Sequence, residues 1–125
     1  MSQSKCIFCN PHSDCIFMTE QLCFARWDGH PVSKGHALII PTRHFSSYFE
    51  ATPEERLALW NLVESVKNLI MEKYESDGFN LGINIGSAAG QSVLHLHIHL
   101  IPRYQGDMPD PKGGVRGVIP ERQKY

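Results

Sequence analysis

Apolar positions recur along the chain with two different periods, and the places where the period changes divide it into elements. Residues 15–27 mix aromatic and branched apolar residues around Glu20 and Gln21, which predicts two short strands joined by a tight turn. Residues 28–35 gather Gly, Pro, Ser and Asp, the composition of an irregular connection, and 36–41 form a short strand stopped by Pro41. Thr52, Pro53 and Glu55 supply an N-cap, a proline at the first helical position and a capping-box glutamate. From there Leu57, Trp60, Val63, Val66, Ile70 and Tyr74 return every three or four residues, predicting a core helix with one apolar face that Gly78 ends in a left-handed conformation. Segments 79–85 and 94–102 read as strands that pair antiparallel across the Gly- and Ser-containing loop 86–92. Residues 103–125 carry Pro109, Pro111 and Pro120 among several glycines, show no period and predict an extended or partly disordered arm. The division expected is one domain over 1–102, including the first cysteines, and an arm over 103–125.

Composition narrows the function. The chain has 125 residues, 42% of them apolar, enough for one core without a disulfide framework. Twelve basic residues against thirteen acidic ones give a net charge of −1, no footprint for a nucleic-acid backbone, so any anionic ligand is small and held locally. No apolar run is long enough for a membrane span and residues 1–5 lead into no signal-peptide stretch, so the expected setting is the cytoplasm, with no membrane partner. All four cysteines, Cys6, Cys9, Cys15 and Cys23, lie in the first fifth of the chain and read as reduced thiols, the last two as buried strand residues. His12 and His30 read as exposed and receive no role.

The other five of the seven histidines sit in patterned surroundings. In a strand, His95, His97 and His99 point to one face while Leu94, Leu96, Ile98 and Leu100 point to the other. Same-face neighbours stand about 6.6 Å apart and the outer pair about 13 Å, too far to aim all three rings at one ion with bonds of about 2.0–2.1 Å. The three rings therefore have different jobs. The central one, His97, suits a nucleophile whose tautomer is fixed by its surroundings. The preceding loop, with Gly86, Ser87, Gly90 and Ser92, offers donors that can wrap phosphate oxygens.

The run from Gly90 to Arg103, with Gln91, Ser92, His95, His97 and His99 in it, resembles the signature of the histidine-triad (HIT) superfamily of nucleotide hydrolases and transferases. Gly35-His36-Ala37-Leu38-Ile39-Ile40-Pro41-Thr42-Arg43-His44 is similar to that family's upstream motif. The resemblance implies an α+β, HIT-like fold: a five-stranded antiparallel sheet with one long and one short helix, usually as a homodimer. It implies that His97 attacks the α-phosphate of a nucleotide, adenine nucleotides being expected, and forms a nucleotidyl-histidine intermediate. Dinucleoside polyphosphates and nucleoside phosphoramidates are among the substrates implied. It further implies that the main-chain carbonyl of His99 orients His97, that His95 and His36 support it, and that Asn84, Gly90, Gln91 and Ser92 contact phosphate. Asp28 matches the residue that bonds the ribose. No organic cofactor is expected, and protonation of His97 predicts an acid limb around pH 6–7.

Cys6 and Cys9 have the two-residue spacing that brings two thiolates to one zinc, which is half of a tetrahedral site; a pair of free thiols is the other reading. Members of the superfamily with an N-terminal Cys-x-x-Cys are similar here, and the resemblance implies His44 and His95 as the remaining ligands of a structural zinc. Two other classes stay open from the sequence: a nucleotide-binding interaction protein with negligible turnover, and a metallohydrolase using the histidines as ligands.

Overall fold

The structure is a computed structural model that describes residues 6–10 and 13–125; His12 and residues 1–5 lie outside the described residues. Five strands, β1 (Ile16–Thr19), β2 (Cys23–Trp27), β3 (Ala37–Pro41), β4 (Gly78–Gly82) and β5 (Ile98–Arg103), form one sheet in the order β1-β2-β3-β5-β4. Every adjacent pair is antiparallel. Helix α1 (Pro53–Tyr74) is the one α-helix among the described residues; in place of the expected short helix there are five 3-10 turns, the one at Tyr48–Glu50 leading into α1. The α+β class and the five-stranded sheet expected from the sequence are both present.

Alternation along the strands gives the sheet two different faces. Ala25, Ile39 and Ile98 stand in one cross-strand row, fully buried beneath α1 with Leu59, Val66 and Ile70. The adjoining row, Arg26, Leu38 and His99, faces the other way, toward the segment that carries Cys6, Phe8 and Cys9. One face is thus core and the other builds the site.

Helix α1 starts where the capping box places it: Glu55 N–H donates to Thr52 Oγ1 at 3.1 Å and Thr52 N–H donates to Glu55 Oε1 at 2.8 Å. Its end and its face differ from expectation. Glu75, not Gly78, takes the left-handed position with φ of 53°, and Gly78 opens β4. The buried stripe is Leu59, Leu62, Val63, Val66 and Ile70, whereas Leu57 is 65% and Trp60 40% exposed. Stepping back from Val63 by three residues at a time rotates about 60° per step, so two such steps leave the buried face. Trp60 instead donates its indole N–H to the Tyr48 hydroxyl at 3.1 Å.

The last strand is also shorter than its sequence pattern. Leu96 N–H donates to Phe45 carbonyl at 2.7 Å rather than to a neighbouring strand, so the chain enters the sheet only at Ile98. The partner strand β4 ends with Gly82 opposite His99. Gly35, with φ of 86°, lies so close to the Tyr74 ring that an added Cβ would come within 2.8 Å of it, which fixes the approach of the chain into His36. Residues after β5 run back over the sheet edge: Tyr104 Oη donates to Lys34 carbonyl and Gln105 N–H to Asp77 Oδ2. Two 3-10 turns follow, at Gly114–Val118 and Pro120–Arg122.

Candidate functional site

Two groups of histidines meet at the start of β5, and hydrogen bonds to the main chain decide what each ring can do. His95 is fully buried, and its Nε2–H donates to Pro41 carbonyl at 2.8 Å, a partner that can only accept. Its Nδ1 therefore carries a lone pair, facing Cys6 Sγ at 3.4 Å, Cys9 Sγ at 3.5 Å and His44 Nδ1 at 3.2 Å. Cys9 Sγ lies 3.1 Å from His44 Nδ1, and the four ligand atoms all fall within 4.8 Å of one another. A tetrahedron with metal–nitrogen and metal–sulfur bonds of the usual zinc lengths has edges of about 3.3–3.8 Å, close to this spacing. Burial pushes the Cys9 thiol up, and Cys6 beside it adds to the effect. A cation placed among these atoms would favour the thiolate form of both sulfurs and take up their charge. The chain thus holds a potential Cys2His2 metal site, in which a carbonyl orients His95 through its other nitrogen.

The outlying ligands are set by their own elements. Cys6 carbonyl accepts N–H groups from Cys9 and Asn10 at 3.2 Å each, the tight turn that turns both sulfurs one way. His44 follows Arg43, whose guanidinium grips buried Glu55 at the start of α1 with bonds of 2.8 and 3.0 Å and lies over the Phe45 ring. That clamp, which holds the Glu55 carboxyl below its ordinary value, ties the loop after β3 to the helix.

Only two residues from His95, His97 is arranged the other way round. Its Nδ1–H donates to the His95 carbonyl at 2.9 Å, leaving the Nε2 lone pair. This corrects the expectation that the His99 carbonyl orients the ring: His99 lies inside the sheet between Leu38 and Gly82, whereas His95 precedes the strand with its carbonyl turned back beneath His97. His97 lines an open cavity of about 350 Å³ together with Asp28, Asn84, Ser92 and His99. Phe8 packs edge-on against it with ring centres 5.0 Å apart, so the cysteine segment forms part of the cavity wall.

His36 and His99 form a third arrangement. Val32 N–H, which can only donate, bonds His36 Nδ1 at 3.1 Å, so the His36 proton sits on Nε2. That proton points at His99 Nδ1, 3.0 Å away, and leaves neutral His99 with its own proton on Nε2. Asp28 Oδ2 lies 3.4 Å from His36 Nε2 and 3.9 Å from His99 Nδ1, while its Oδ1 accepts His30 N–H at 2.7 Å. Burial lowers His36 and His97 below the ordinary histidine value, and lowers His99 to about 4 with help from His97 and His36.

The loop before the triad divides the expected phosphate contacts into two kinds. Asn84 and Ser92 line the cavity. Gln91 is nearly buried and its amide is committed to the loop: Oε1 accepts Gly86 N–H at 2.9 Å while Nε2 donates to the carbonyls of Ser46 and Val93. Gly90, with φ of 87°, gives its N–H to Ser87 carbonyl at 3.0 Å. Both residues shape the loop instead of facing the cavity, because a seven-residue connection must satisfy its own backbone before it can offer donors. His30 is exposed at the rim. Cys23 is buried, its thiol pushed up to about 11 by burial, and Cys15 is half-buried in a 3-10 turn. Sequence reasoning missed Phe8 and Arg26 as cavity residues; strand alternation, which puts Arg26 on the same side as Asp28, is the signal that could have found the second.

Comparison with known proteins shows the family and agrees with the fold. A family model described as the HIT domain matches residues 11–106. The chain is 39% identical over 109 residues to the adenylylsulfatase HINT3 of Arabidopsis thaliana, covering 84% of this chain and 55% of that protein. It is 38% identical over 108 residues to the bis(5'-adenosyl)-triphosphatase of Dictyostelium discoideum, covering 86% and 72% respectively. The crystal structure of a zinc-bound histidine triad family protein from Mycobacterium smegmatis superimposes with a TM-score of 0.77 at 28% identity, covering 87% of this chain and 82% of that one.

Proposed function

The chain belongs to the HIT domain family, and from that premise we propose that it is a hydrolase or nucleotidyl transferase acting on the α-phosphate of a small nucleotide through a nucleotidyl-His97 intermediate. The observation that carries this reading is the 2.9 Å bond from His97 Nδ1–H to the His95 carbonyl, which leaves Nε2 unprotonated in the cavity. The Nε2 lone pair forms a bond to the α-phosphorus as the bond to the leaving atom breaks and its electron pair departs with it. His99 keeps its one ring proton on Nε2 and offers it as a hydrogen bond to the leaving atom, which takes any proton it needs from solvent, and the His36 Nε2–H on His99 Nδ1 holds that donor tautomer. Water then attacks the same phosphorus and loses its proton to solvent as the P–Nε2 bond breaks and its electron pair returns to His97. Ser92 and Asn84 face the phosphate oxygens, and Asp28 faces the ribose, in this reading. Gln91 and Gly90 act by shaping the loop.

We assign structural zinc to Cys6, Cys9, His44 and His95; bound there, it supplies a closed cross-link between the cysteine turn and the strand entry. The four free cysteines suit the cytoplasmic setting expected from the sequence, and among the described residues no helix is long and apolar enough to cross a membrane. The homodimer is carried as part of this proposal, with β4 as an open sheet edge, as is the division between a domain over 1–102 and an arm over 103–125.

One observation favours a catalytic metal: Asp28, His36 and His99 bring ligand atoms within 4.8 Å of one another. The Val32 N–H bond argues against it, since a metal on His36 Nε2 would move the ring proton to Nδ1, against a second donor. Release of nucleoside monophosphate from a panel of diadenosine polyphosphates, adenosine phosphoramidate and adenylyl sulfate tests the proposal. Turnover of at least one substrate that does not depend on added metal is expected. Binding without turnover supports the interaction-protein class, and activity that requires a supplied ion supports the metallohydrolase.

A further inference from the structure

The end of the cavity away from the phosphate loop is closed by a charged side chain that the chemistry above does not use. Arg26 pairs across the sheet with Leu38, which pairs in turn with His99, and directly opposed residues of a sheet share a face. Neighbouring strands stand about 4.8 Å apart, so the Arg26 and His99 main chains are roughly 10 Å apart, comparable to the span from a nucleotide's innermost phosphorus to its base. Arg26 lines the cavity yet is only 9% exposed. Its Nε–H donates to Trp27 carbonyl at 3.2 Å and its guanidinium carbon lies 5.6 Å from the centre of the Phe8 ring. Among the described residues no carboxylate forms an ion pair with it; the acidic partners go to His36, His99, Arg43, Arg103 and Lys124. A guanidinium that has lost most of its water without gaining an acid is costly to keep unless an acceptor arrives from outside.

We propose that Arg26 reads the base of the bound nucleotide and favours a 6-oxopurine, guanine or hypoxanthine, over adenine. With Nε occupied, the remaining N–H groups form a rigid pair of donors that matches two acceptors on one edge. A 6-oxopurine presents O6 beside N7, whereas adenine places an amino donor beside N7. The walls at this end suit a flat ring better than a second phosphate: Phe8 and Leu38 are apolar, and the Asp28 carboxylate lines the same cavity. The inference rests on the nucleotide reading of the site and refines its substrate class.

Calorimetric titration of the full chain with GMP, IMP, AMP and adenosine 3',5'-bisphosphate separates the two readings. The wild type is expected to bind GMP and IMP on the order of tenfold more tightly than AMP. Arg26→Met, of similar length without donors, should bring GMP, IMP and AMP to within about twofold of each other, and Arg26→Lys, charged but without the fork, should lose most of the preference. An arginine that merely braces Phe8 would weaken all ligands together and leave their ratio unchanged, which overturns the proposal. Equal or tighter binding of AMP by the wild type overturns it while leaving the nucleotide reading intact. A preference for the bisphosphate over AMP that disappears in Arg26→Met overturns it in favour of a second phosphate. If no nucleotide binds, both readings fall. Should Arg26→Met lose its cooperative thermal transition, the wild-type ratio and Arg26→Lys still decide.

Discussion

His95 and His97 are two residues apart, yet one belongs to a closed cluster of ligands and the other to an open cavity. The difference lies in which ring nitrogen meets a carbonyl. His95 gives Nε2–H to Pro41 and turns Nδ1 toward two sulfurs and His44; His97 gives Nδ1–H to His95 and keeps Nε2 for the cavity. A short stretch of main chain thus gives one residue type two settings, a potential metal site and a lone pair beside the cavity, and the shared residue joins them: the ring of His95 belongs to the first and its carbonyl to the second. The lesson is that a row of identical side chains is read by its backbone acceptors, since an imidazole's role follows from the tautomer those acceptors impose.

The comparison can be broken from either side. The largest effect is expected from His97→Ala, which should lower kcat on the order of 10³-fold or more while nucleotide binding stays measurable by titration; turnover near the wild-type rate would take the nucleophile away from the open site. On the closed side, protein purified without chelator should carry one zinc per chain. Stripping it, or replacing Cys9 by Ser, should lower Tm on the order of 10 °C. An unchanged Tm and no bound metal would reduce the cluster to free thiols. His36→Ala, which removes the donor that sets the His99 tautomer, should cost about 10–100-fold in kcat with little change in Tm, by analogy with other orienting partners of a functional histidine.

Acid should distinguish the two groups as well. Because burial lowers His97, the acid limb of kcat/KM should lie below the ordinary histidine value of about 6.5; a limb centred at 6.5 or above contradicts this placement. The folded chain also binds fewer protons than the unfolded one at His36 and His99. Their contribution to stability is therefore complete above about pH 6.5 and is lost as pH falls toward 4. The smallest effect is the control: Thr52→Ala removes one bond of the α1 cap while the Arg43–Glu55 clamp stays in place, should cost about 1 kcal/mol, and should leave zinc content and kcat unchanged.

How much of this was legible in the sequence depends on how local the cause is. The start of α1 was readable because its capping box closes within four residues, and the strands around Glu20 and Gln21 because aromatic and branched apolar residues on both sides of a tight turn are a short-range pattern. The face of α1 was misread at its first turns, where Leu57 and Trp60 keep an allowed spacing but rotate away from the core. His97 stood out by phase alone. What could not be read was the path of the chain around it: the strand begins at Ile98, not at residue 94, because Leu96 N–H bonds the Phe45 carbonyl in the connection after β3. The same blindness moved the orienting carbonyl from His99 to His95 and turned Gln91 from a ligand contact into a brace. Cys6 and Cys9 announced a pair, but their approach to His44 and His95 is a contact across 35 to 89 positions of chain, which no spacing encodes.

The central claim is the bond between His97 Nε2 and a nucleotide's α-phosphorus, and intact mass spectrometry tests it most directly. Incubations with adenylylated compounds, quenched in cold alkaline denaturant in which a P–N bond to imidazole survives, should give wild-type protein one added nucleotidyl mass, which maps by fragmentation to His97 and is missing from His97→Ala. Multiple turnovers with no added mass at any quench time, or an added mass that persists in His97→Ala, would contradict the account.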